Sequence, residues 1–194
     1  MHLRFGLLCS AQADGREPGL ETGQGFRDYL DFNVEAEALG LHSSFLVEHH
    51  FTGWNQVSAT LTLLTCLAMR TTRLRLGTAV MTLPWHNPVL LAEQAATLDL
   101  VSDGRLDFGI GRSGSARTYD LLGVPYGESQ ARFLECLAII RQAWKGEPFS
   151  HEGQFYRFHA ALRDGAPLPV ALADAYAALE LVTAMYVSAR SGQA

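Results

Sequence analysis

Short apolar runs alternate along the chain with longer stretches in which apolar residues recur every three or four positions. Residues 3–9 form a mostly apolar run that passes into the polar loop Ser-Ala-Gln-Ala-Asp-Gly-Arg-Glu-Pro-Gly, which predicts a buried first strand and a long exposed connection. Phe26, Leu30, Val34, Ala38 and Leu39 then keep helical spacing until Gly40, a residue suited to a helix C-terminus. Residues 43–47 read as a second strand ending in Glu48-His49-His50-Phe51, and a second helix is expected from an N-cap at Ser58 to Met69. The alternating run 74–80, bounded by Pro84, reads as a third strand, and Pro88 opens a third helix that continues to Val101. Asp103-Gly104 turns the chain into a fourth strand over 105–111. After a polar loop a fourth helix spans 128–144, with Phe133, Leu137, Ile140 and Trp144 on one face.

Strand, loop and helix recurring at roughly 30 residues is the βαβ pattern, so the fold class is α/β with a parallel sheet and helices outside it. Residues 149–158 break the rhythm with two short aromatic strands around Glu152-Gly153, a hairpin. Beyond Pro167 and Pro169 the composition shifts to an Ala-rich helix over 171–189, so a domain over 1–169 and a helical tail over 170–194 are expected.

With 194 residues, 48% of them hydrophobic, the chain can bury one good core. Its net charge of −5 and the lack of a basic run argue against nucleic acid or anionic lipid as partner. Cys9, Cys66 and Cys136 are odd in number and lie in apolar stretches, which predicts reduced core thiols and a cytoplasmic protein. The first apolar run is too short for a signal peptide, and 61–69 is too short to cross a bilayer; a soluble protein is expected.

In parallel (β/α) folds ligands gather at the carboxyl ends of strands, where Cys9-Ser10, Glu48-His49-His50, Ala79-Val80-Met81 and Gly111-Arg112-Ser113 fall. Adjacent imidazoles there can donate, accept or transfer protons near neutral pH; the alternative is that one caps a loop and the other packs inside. A shared metal is disfavoured, because neighbours on a strand point to opposite faces, and no CxxC pair offers zinc ligands. Gly109-Ile110-Gly111-Arg112-Ser113-Gly114 lets backbone approach an anion and brings a guanidinium suited to phosphate, or else the glycines only turn the strand and Arg112 is solvated. The small residues at Thr78, Ala79 and Val80 allow a flat ligand close to the backbone but are equally ordinary core. Neither Ser10 nor Ser113 sits in a nucleophile elbow, so a hydrolase triad is disfavoured.

Taken in order, Leu-Arg-Phe-Gly-Leu-Leu, Val-Glu-His-His-Phe, Leu-Gly-Thr-Ala-Val-Met-Thr-Leu-Pro, His-Asn-Pro-Val, Ser-Asp-Gly-Arg-Leu-Asp-Phe-Gly-Ile-Gly-Arg and Gly-Glu-Pro-Phe-Ser-His-Glu-Gly resemble the bacterial luciferase-like monooxygenases over residues 2–160. The resemblance implies a TIM-type (β/α) barrel, here its N-terminal half. It implies a site for reduced flavin mononucleotide (FMN), or in sister groups the deazaflavin coenzyme F420, beside a small organic substrate and oxygen. It places His49 at the catalytic position, with Glu48 and His50 as neighbours. It sets Thr78, Ala79 and Val80 against the flavin ring, the last two across a non-proline cis peptide, and assigns the flavin phosphate to Gly111, Arg112 and Ser113. No resident metal is implied. Where the family has a glycine and an aromatic after this arginine, the chain has Ser113-Gly114-Ser115. A homodimer or heterodimer is implied, formed through the Pro88 to Asp99 helix with Glu93. The later strands of the barrel are expected to be missing, which leaves open a non-catalytic dimerisation module or an inactive remnant. The run from Asp174 to Gly192 resembles the last helix of inositol-dehydrogenase-like oxidoreductases, which suggests a junction near 167–173.

Overall fold

The computed structural model describes residues 3–13 and 22–158. The chain divides after Glu147, and the two units are taken separately. The first carries the strands β1 (Gly6–Cys9), β2 (Ser43–Leu46), β3 (Arg75–Thr78), β4 (Met81–Thr82), β5 (Leu106–Asp107) and β6 (Ile110–Gly111). Its helices are α1 (Gln24–Ala38), α2 (Thr60–Ala68), α3 (Pro88–Val101), α4 (Ala116–Leu121) and α5 (Ser129–Ala143). Strands β1, β2, β3 and β5 form one sheet in that order, parallel throughout. Each step from strand to neighbouring strand passes through a helix, as parallel pairing requires. The predicted α/β class and its (β/α) units are present. The expected tail, at 170–194, lies outside the described residues.

Local chemistry explains the helix ends. Leu41 N–H bonds to Ala36 O and Gly40 N–H to Glu37 O, a Schellman closure with Gly40 at φ 89°. Asn87 caps α3, its Oδ1 accepting from the N–H of Val89 and Leu90, while Pro88 fills the first position where no N–H is needed. The expected Ser58 cap is not used: α2 starts after Ala59, with no side-chain cap. Thr60 Oγ1 instead donates to Val47 O at 3.0 Å, tying the helix start to the end of β2. The polar loop before α5 holds the short helix α4, capped by Ser115, whose Oγ accepts from Thr118 N–H.

The core lies between the sheet and its helices. Leu46, Leu76, Leu64, Leu67, Leu91, Leu98, Ile139 and Ile140 are buried there, and the apolar contacts among them supply the driving force. Of the predicted α5 face only Ile140 is fully buried; Trp144 is half-exposed, although its indole N–H donates to Ala92 O of α3 at 3.0 Å. Cys136 is buried, but Cys66 is exposed on α2 and Cys9 is intermediate, so the expectation of three core thiols holds for one.

Strand β1 is the larger departure. It was expected to be buried, yet Leu8 is 72% exposed, with Leu3 at 77% and Phe5 at 70%. The reason is topological: β1 pairs with β2 on one side and, among the described residues, with nothing on the other.

The third and fourth predicted strands are each broken. Gly77 pairs with Asp107 and Met81 with Ile110, so three residues, Thr78 to Val80, face two, Phe108 and Gly109. One extra residue in one strand bends the pair and re-aims the residues beyond it, as a bulge does. Gly109 is required there, because a Cβ would lie 2.0 Å from Thr78 O. In the second unit, β7 (His151–Glu152) and β8 (Arg157–Phe158) pair antiparallel, the predicted hairpin.

Candidate functional site

The carboxyl ends of β2 and β4 and the loop after β6 surround a cleft of about 330 Å³, lined in part by Glu48, His49, His50, Ala79, Val80 and Ser113. Of the nine residues singled out in the sequence, these six meet at one cleft. The peptide bond between Ala79 and Val80 is cis. Thr78 lies beneath, buried, its Oγ1 donating to Gly109 O at 2.7 Å. Gly111 supports Val80: a Cβ there would come within 2.4 Å of Val80 Cγ2. Arg112 points elsewhere. Its guanidinium donates to Ser129 Oγ at 2.8 Å and sits 6.0 Å over the Tyr126 ring, while its carbonyl accepts from the Tyr119 hydroxyl.

Glu48 organises the cleft. Its side chain is fully buried, its Oε2 accepts from Thr82 N–H at 2.7 Å, and its Oε1 lies 2.6 Å from His86 Nε2 and 3.3 Å from His50 Nε2. Burial alone would raise its pKa; the donors His50, His86 and Thr82 outweigh that and hold it at about 2. A carboxylate ionised at neutral pH can only accept, so both imidazoles present an Nε2–H to it. His86 was missed as a site residue, although it stands in the His-Asn-Pro-Val motif; nothing local signalled that it would reach Glu48, 38 positions away.

His49 differs from His50. Its ring is exposed, and its Nδ1 lies 3.1 Å from the carbonyl oxygen of Asn55. That carbonyl accepts, so Nδ1 carries a proton and Nε2 is left with a lone pair able to take one. Asn55 is held in turn by Ser10 Oγ at 3.0 Å and by Gln12 Oε1, which accepts from its N–H at 2.7 Å. The loop after β2 is thereby fixed to the end of β1. Both histidines line the cleft because they lie beyond the last strand residue, Leu46, where the alternation of faces no longer applies. Among the described residues no group of three His, Cys, Asp or Glu is arranged to hold a metal ion.

The chemistry of the lining fits a flat, polar-edged ligand. Ala79 and Val80 supply a small apolar floor, Trp85 an aromatic wall, and the hydroxyl residues Thr52, Thr82, Ser113, Ser115 and Thr118 a ring of donors and acceptors. Nonpolar floor, hydroxyl rim and one imidazole with a free lone pair thus gather at the carboxyl ends of parallel strands, where (β/α) folds collect their ligands.

Comparison with known proteins gives the family. The luciferase-like monooxygenase profile matches residues 3–184, and the chain belongs to that family. It is 35% identical over 154 residues to an F420-dependent glucose-6-phosphate dehydrogenase of Kineococcus radiotolerans, covering 74% of this chain and 45% of that protein. It is 31% identical over 135 residues to the oxygenase component of a flavin-dependent trigonelline monooxygenase of Acinetobacter baylyi, covering 69% and 37%. Among solved structures, monooxygenase RslO1 from Streptomyces bottropensis superposes with a TM-score of 0.73 at 34% identity, over 80% of this chain and 47% of that one. The chain spans about half the length, or less, of the curated relatives it matches. Its (β/α) units are therefore the TIM-barrel type of these relatives. No helix among the described residues is long and apolar enough to cross a membrane.

Proposed function

We propose that the cleft binds reduced FMN, with coenzyme F420 as the alternative, and that the protein is a flavin-dependent monooxygenase acting on a small organic substrate. The observation that carries this reading is that Ala79 and Val80 line the same cleft as Glu48, His49 and His50, in a chain of this family. When bound, the reduced flavin would supply the electrons with which oxygen is activated. Thr78, Ala79 and Val80 would seat the ring, Val80 being braced from below by Gly111. His49 Nε2 would take or return a proton at the reacting edge, its ring set by Asn55 O. Glu48 would orient His50 and His86 without itself exchanging protons, since it stays ionised down to a pH of about 2. Ser113 and its neighbouring hydroxyls would meet the polar end of the cofactor. Arg112 would join them on leaving Ser129. The cytoplasm as compartment, and pairing of copies through the outer face of α3, where Leu90, Glu93 and Leu100 are exposed, belong to the same reading.

Titration of the purified chain with FMN, oxidised and anaerobically reduced, tests binding by fluorescence quenching and by the shift in melting temperature. Saturable quenching with a raised Tm is expected. A folded protein that binds neither form of FMN, nor F420, would instead support the non-catalytic module. His49→Ala should lower substrate oxygenation by roughly 10²- to 10⁴-fold, the range for a lost acid-base group, with FMN affinity changed little. Unchanged turnover would remove His49 from the chemistry.

A further inference from the structure

Three donors surround the Glu48 carboxylate, and they do not hold it equally. Its Oε2 accepts from Thr82 N–H at 2.7 Å and its Oε1 lies 2.6 Å from His86 Nε2, both short, as bonds to an ionised carboxylate are. His50 Nε2 is 3.3 Å from that same Oε1, at the long end for a hydrogen bond. Two short bonds, one to each oxygen, fix the plane of the carboxylate; the long one depends on where that plane lies.

Both short bonds come from one stretch of chain, anchored on either side of His86. Thr82 ends β4, which pairs with β6. Leu83 and Pro84 are buried, and Leu83 O accepts from His86 N–H and from the Cys136 thiol of α5. Asn87 caps α3 and Pro88 opens it. His50 belongs instead to the loop after β2. Its side chain, 15% exposed, lines the cleft with the ring edge-on to Trp85, centroids 5.4 Å apart.

We propose that His86 is a positioning residue for His50, acting through Glu48. It fixes Oε1 where that oxygen takes the His50 Nε2 proton, so that His50 meets the cleft with Nδ1 as a hydrogen-bond acceptor. A neutral imidazole has one N–H and one lone pair, and the partner of one nitrogen decides what the other can do. Among the described residues His50 Nδ1 has no hydrogen-bond partner, so its lone pair is left for an N–H or O–H of a ligand. The clamp is independent of the cofactor reading; only its use in the reaction rests on it.

NMR of the ring nitrogens, on the full chain carrying isotope-labelled histidine and without ligand, reads the cluster directly at about pH 8, above the range in which imidazoles ordinarily carry charge. Wild type should show the His50 proton on Nε2, in slow exchange with water. His86→Leu should speed that exchange roughly tenfold, the worth of one hydrogen bond. His86→Gln, which keeps an N–H at the same reach, should restore it. Should His86→Leu not fold, His86→Asn, whose amide is too short to reach Glu48, takes its place. The indole N–H of Trp144, bonded to Ala92 O of α3, should exchange equally in every variant and so separates loss of the clamp from general loosening. A wild-type His50 proton on Nδ1 would overturn the proposal. So would exchange at His50 that ignores His86→Leu, that quickens no more than at Trp144, or that His86→Gln fails to restore. None of these readings needs FMN. A chain that shows them but binds no flavin loses the cofactor reading and keeps the clamp, and one that binds flavin while His50 ignores His86 does the reverse.

Discussion

The two ends of the strands use polar side chains in the same way and leave different things over. At the amino ends, Arg105 donates to Ser102 O, Leu74 O, Ala68 O and Thr71 Oγ1 at 2.7 to 3.1 Å. Beside it, Glu37 accepts from the N–H of Thr72, Arg73 and Leu74. Donors and acceptors there consume one another, and all that results is the position of a loop. At the carboxyl ends Glu48 likewise gathers Thr82, His50 and His86, but the cluster faces a cleft and beside it His49 keeps a lone pair in reach of solvent. Both ends thus add stability, but only the carboxyl end leaves a group over that faces a cleft.

Breaking the cleft cluster should have the largest effect on folding. Glu48→Ala strands the Thr82 N–H and two imidazole donors in a buried setting and should cost about 3–5 kcal/mol in urea unfolding. Arg105→Ala, at the other end, should cost roughly 2–3 kcal/mol by leaving three carbonyls without their donor, with no loss of FMN affinity per folded molecule. If Arg105→Ala weakens FMN binding while Glu48→Ala does not, this difference between the ends is wrong.

Acid sharpens the comparison further. Glu48 has its pKa lowered from 4.5 to about 2, and Glu37 is lowered from the same ordinary value despite partial burial, through its bonds to Arg73, Leu74 and Thr72. A carboxylate with a depressed folded pKa contributes stability that is complete above its unfolded value and is lost as pH falls through the folded one. Unfolding free energy measured from pH 7 downward should therefore hold level to about pH 5 and decline below about 4.5, by about 1–2 kcal/mol at pH 3. The decline should be shallower in Glu48→Ala. The smallest stability effect is expected from His49→Ala, less than about 0.5 kcal/mol, because the ring is exposed.

The site was legible where chemistry sits next to a strand end in the sequence. Glu48-His49-His50 followed a clear strand, and Ala79-Val80 ended another, so their arrival at one cleft could be anticipated from (β/α) topology. Arg112 was equally well placed by sequence yet turns to Ser129, because the pair that decides its direction is 17 residues away on α5. His86 was hidden for the complementary reason: it sits on the turn after β4, and only folding brings it to Glu48.

By itself the sequence determined the alternation of strands and helices, their α/β class, the start of α3 and the end of α1, through short-range signals: apolar period, Pro88 at the helix start and the Gly40 closure. Tertiary structure alone decided which apolar residues are core. Leu8 and Leu46 belong to equally apolar runs and pair within the same sheet, yet one is 72% exposed and the other fully buried. Burial is a property of neighbours, and a strand's neighbours are set by where the sheet ends.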